Sequence, residues 1–120
     1  MISANDVLQI IGEIHQYSML LVELKDATTF GISCSPSEKL NYFRVDRKLS
    51  TTERRELVKK LYSGETPGSL RPLPVEQFLL EIEGKKAKHI WLETRGVERK
   101  ELGFLSISEL KAFFRTHCRR

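Results

Sequence analysis

The chain has 120 residues, 40% apolar, 30% charged and 8% aromatic, with a formal charge of +4 at pH 7. Its 36 Leu, Ile, Val and Phe residues exceed the share below which chains stay disordered, and the length suits one core and leaves no room for two. Met1 to Asp6 carry no Lys or Arg, and the apolar run Met19 to Val22 is far too short to cross a bilayer, so the expectation is a soluble, cytoplasmic protein with no membrane contact.

Ser3 with Asp6, Ser50 with Glu53 and Ser106 with Glu109 repeat one helix-start signal: a hydroxyl caps the first turn and an acid three positions on reaches back to the cap's amide. After Ser3, the apolar positions Val7, Ile10, Ile11, Ile14 and Tyr17 recur at helical spacing. Gly12 lies opposite this stripe, where it costs about 1 kcal/mol relative to alanine and leaves room for a close approach. Three alternating runs follow: Leu20, Val22 and Leu24, then Phe30, Ile32 and Cys34, then Phe43 and Val45. Turn residues such as Asp26 and Ser35-Pro36-Ser37 separate them, which predicts a three-stranded meander.

The second helix carries Leu57, Val58 and Leu61, and Gly64 supplies its stop. Glu65 to Pro74, with three prolines and a glycine, reads as a surface loop. Val75 to Glu83 fits a helix started by Pro74, although Phe78, Leu80 and Ile82 also alternate as a strand would; the helix is preferred. His89 to Thr94, a turn at Arg95-Gly96 and Val97 to Leu105 predict a C-terminal hairpin, and Ile107, Leu110, Phe113 and Phe114 mark the last helix.

The sum is an α+β single domain over residues 1–120. An antiparallel sheet of about five strands, the meander plus the hairpin, is packed on one face with three amphipathic helices. The element order is similar to that of type III secretion chaperones, a likeness of architecture only.

Little points to catalysis. Gly64, Gly68, Gly84, Gly96 and Gly103 are too dispersed for a phosphate loop, no Gly-x-Ser-x-Gly occurs, and the acids pair only as Glu81 with Glu83 or Glu98 with Glu101. Cys34 and Cys118 form no Cys-x-x-Cys, and His15, His89 and His117 no ligand spacing. The expectation is therefore no metal, no disulfide and no small-molecule cofactor.

Charge is the more informative signal, since residues 1–40 carry a net −3 and residues 41–120 a net +7. Lys111, Arg115 and Arg119 stand four apart on the last helix, a stripe suited to phosphates or to the carbonyl end of that helix. Arg54 falls within the apolar arc of the second helix beside Arg55 and Lys59, so it either pairs with an acid, snorkels or binds. Extended 88–94 places His89, Trp91 and Glu93 opposite Ile90 and Leu92, and the third run places Tyr42 and Arg44 opposite Phe43 and Val45.

If Trp91 and Tyr42 share an exposed sheet face, they form a stacking platform beside cations, as single-stranded nucleic acids require. The alternative for Trp91 is a place under a helix. The expected function is a small non-catalytic binding protein that takes a nucleic acid on Arg44, Arg54, Arg55, Lys59, Trp91, Lys111, Arg115 and Arg119. The alternative is a protein-interaction or chaperone-like adaptor that meets a protein partner or forms a homodimer.

Overall fold

Ser3 accepts a hydrogen bond from the Asp6 amide and turns the chain into helix α1, Ala4–Ile14. This is one of ten elements in a computed structural model that describes residues 1–96 and 98–117. Strands β1 (Tyr17–Leu24), β2 (Thr29–Cys34) and β3 (Leu40–Val45) form the expected meander. Helix α2, Thr51–Tyr62, carries the complete capping box, with Ser50 and Glu53 each bonding the other's amide. Its C-terminus is closed by Gly64 at φ 85°, where the Gly64 and Glu65 amides donate to Leu61 and Lys60, so a left-handed residue is required there.

Strand β4 (Arg71–Leu73) and helix α3 (Val75–Ile82) come next, followed by β5 (Ala87–Thr94), β6 (Glu101–Phe104) and α4 (Ile107–His117). All six strands join one antiparallel sheet in the order β4-β3-β2-β1-β5-β6.

Four expectations need correcting. The sheet has six strands, because Arg71 to Leu73, within the stretch read as a surface loop, pairs with β3 along the sheet edge. Pro72 lacks an amide proton, which an edge strand tolerates. The helix preferred from Val75 on does form, as α3, which brings the helices among the described residues to four where the fold was counted with three. Both sheet faces are covered, where one was expected. On one face α1, α3 and α4 bury Leu20, Val22, Phe30, Ile32, Ile90 and Leu92. On the other, α2 buries Met19, Leu21, Phe43 and Val45 beneath Leu57 and Val58. The last strand also begins later than expected, at Glu101.

The N-terminus is part of the fold, since Ile2 is 3% exposed and exchanges backbone hydrogen bonds with Gly84 and Lys85 at the α3–β5 turn. Gly12 is exposed with nothing within 4 Å of a Cβ built on it, so no close approach explains that glycine. Cys34 is a buried free thiol, as expected of a small core residue, while Cys118 lies outside the described residues.

Candidate nucleic-acid interface

The antiparallel registers fix which residues share each sheet face. Tyr42 stands across from Ile32 on the side of α1, α3 and α4, and its ring packs 5.4 Å from Phe78; Trp91 stands across from Leu21 on the α2 side. The two aromatics expected to form one platform are therefore on opposite faces. His89 and Glu93 do share Trp91's face, as the alternation in β5 requires, and the His89 ring lies 5.5 Å from the indole.

Arg44, on the Tyr42 face, donates to Asp46 at 2.5 Å and to Glu81 at 2.6 Å, and its pKa is raised by these bonds, Glu81's first. Lys111 donates to Asp6 at 3.0 Å, joining α4 to α1, and this bond is the main cause of the lowered pKa of Asp6. Arg115 is exposed on the same helix without an ion pair among the described residues, and Arg119 lies outside them. Among the described residues, the basic stripe of α4 thus has one of its two cations, Lys111, neutralised and one, Arg115, unpaired.

Arg54 is 7% exposed. Its guanidinium donates to both Glu101 oxygens at 2.8 and 2.9 Å and to the Leu49 carbonyl at 3.1 Å, and it lies 3.8 Å from the centre of the Trp91 ring. This explains a cation on the apolar arc of α2: the helix packs its arginine over the indole and ties the edge strand β6 to itself. It also occupies the position over Trp91 where a base would stack. The indole lies under α2, the alternative weighed for it from sequence.

What the fold brings together is a different set. Arg55 and Lys59 lie one turn apart on α2, with Tyr62 on the same side, 45% exposed. The loop between β5 and β6 reaches back to them, placing the Arg99 guanidinium 4.8 Å from the centre of the Tyr62 ring. Arg55, Lys59 and Arg99 are all exposed and make no ion pair among the described residues.

Beneath them is Glu93, half-buried beside Glu101. Burial first and the neighbouring carboxylate second raise its pKa, against the opposing pull of Arg99, Arg55 and Arg54. Sequence reasoning missed Tyr62 and Arg99. Tyr62 could have been found from its place three and seven residues after Lys59 and Arg55, which puts all three on one helix flank.

Among the described residues no cluster of three or more His, Cys, Asp or Glu could hold a metal ion, and no helix is long and apolar enough to cross a membrane. No protein-family model, no curated protein and no solved structure gives a match to this chain.

Proposed function

We propose that this is a small non-catalytic binding protein that engages a single-stranded nucleic acid along the flank of α2 and the β5–β6 loop. The observation that carries this is three exposed cations without ion pairs among the described residues, Arg55, Lys59 and Arg99, gathered on the flank that carries the exposed Tyr62, with Arg99 against its ring. Several cations elsewhere are held in internal pairs, as Arg44, Arg54 and Lys111 show. The three on this flank have no such pair among the described residues. Cations give a phosphate backbone its sequence-independent hold, and an exposed ring gives a base a surface to stack on.

The test is to reverse the charge at Arg55, Lys59 and Arg99 with glutamate and follow binding of a labelled single strand across a salt series. Affinity should fall, and the slope of log affinity against log salt should flatten by roughly 0.7 for each phosphate that is no longer neutralised. Absence of binding by the unaltered protein at low salt would refute the proposal and leave the adaptor alternative in its place.

A further inference from the structure

At the C-terminal end of α2, the helix, the ends of β1, β2 and β3 and the segment leading to β4 enclose a pocket of about 250 Å³. Its walls include Phe43, Val58 and Leu61, Tyr62 stands at its side, and its polar lining includes Ser33 and Asn41. The Ser33 side chain is the telling one. It belongs to a residue only 6% exposed, it lines the pocket, and its hydroxyl makes no hydrogen bond with any described residue. That hydroxyl opens onto the pocket and is not sealed in the core, so its donor and acceptor capacity is available to whatever enters there.

We infer that this pocket receives one unstacked nucleobase of the strand bound on the α2 flank, an inference that rests on the function proposed above. Four observations support it. The volume falls below the roughly 300–1,000 Å³ of pockets for drug-sized ligands, so it suits a single ring system. The Ser33 hydroxyl and the Asn41 carboxamide offer both donors and acceptors without charge, matching the edge of a neutral heterocycle. Among the described residues the one charged residue lining the pocket is Glu65, which repels a phosphate and keeps the backbone outside. Tyr62 belongs to both places: it lines the pocket, and its ring carries Arg99, so a strand held by Arg99 and Lys59 passes the pocket mouth.

The experiment compares a fluorescent oligothymidylate with an abasic oligomer of the same length and backbone. It uses the unaltered protein and the variants Asn41→Leu and Ser33→Ala, all checked for folding by circular dichroism. The unaltered protein should bind the base-bearing strand about tenfold or more tightly than the abasic one. Both pocket variants should shrink that ratio several-fold while keeping the salt slope and the abasic affinity. Asn41 is exposed, so its variant keeps the test valid even where Ser33→Ala unfolds. Equal binding of the two oligomers by the unaltered protein, or an unchanged ratio in folded Asn41→Leu, would overturn the pocket assignment and leave the α2 flank as a plain phosphate site. Binding of neither oligomer would overturn both.

Discussion

Gly31, in the middle of β2, tests how tightly the layer under α2 is packed. Phe43 stands directly across the ladder, and a Cβ on Gly31 would lie 2.2 Å from its Cζ and 2.4 Å from one Cε. Phe43 is 1% exposed and its ring is held among Met19, Leu21 and the α2 side chains, so the pocket it lines beside Val58 and Leu61 is the space into which it would have to shift. Gly31 itself has no left-handed backbone.

In an unobstructed strand, alanine there would add about 0.5–1 kcal/mol by reducing the entropy of the unfolded chain. Overpacking a dense core costs about 1–3 kcal/mol, so the clash should win and Gly31→Ala should lose about 1 kcal/mol, rising to about 2.5 where the ring cannot shift. Urea denaturation of four proteins measures it: the unaltered chain, Gly31→Ala, Phe43→Leu and the double variant. In the Phe43→Leu background the alanine should be neutral or stabilising, a coupling of about 1 kcal/mol or more. A higher urea midpoint for Gly31→Ala alone, at constant m, would refute the packing described for this layer.

Two further outcomes are expected. Ile14→Ala and Leu110→Ala, both at positions 0% exposed, should each cost about 2–5 kcal/mol in denaturant titrations, and an unchanged midpoint would mean that either side chain is not in the core. The folded carboxyl of Glu93 holds its proton more tightly than the unfolded one, so its ionisation opposes folding at neutral pH. Glu93→Gln should therefore gain stability over the unaltered protein at pH 7, and the gain should fade as pH falls towards the ordinary glutamate range and be gone below it; a difference constant from pH 4 to 8 would contradict this.

The local signals proved the most legible part of the fold. Ser50 and Glu53 form their box in full even though Arg47 pairs with Glu53, because one carboxylate oxygen takes the Ser50 amide and the other takes Arg47. At Ser3 the cap forms, but the Asp6 carboxylate turns to Lys111, and at Ser106 the Glu109 carboxylate bonds the Leu105 amide. The same motif thus ends differently once tertiary partners are available.

Alternation placed Leu20, Val22 and Leu24 correctly, yet it hid the second layer. The opposite positions Met19 and Leu21 are equally buried, and the unbroken run Met19 to Val22 was the sign of a strand covered on both sides. β4 was illegible because its three residues, one of them proline, gain strand geometry only from β3. Candidate site residues fared least well. Spacing tells which cations share a helix face, but not that Asp6 or Glu101, distant in the chain, will neutralise them.

The covering of β1 on all sides has a consequence for how the chain is made. From Ser18 to Leu24 every residue is buried, and one lateral neighbour, β2, follows almost at once, whereas the other, β5, begins only at Ala87. A chain still emerging from the ribosome therefore carries its most apolar strand with one edge bare until nearly three quarters of the sequence has been made. A bare apolar edge is a template for strands of other chains. Interrupted synthesis, or a clip that frees β5, would expose in β1 the segment best able to seed aggregation, so the strand most secure in the finished protein is the most hazardous in an unfinished one.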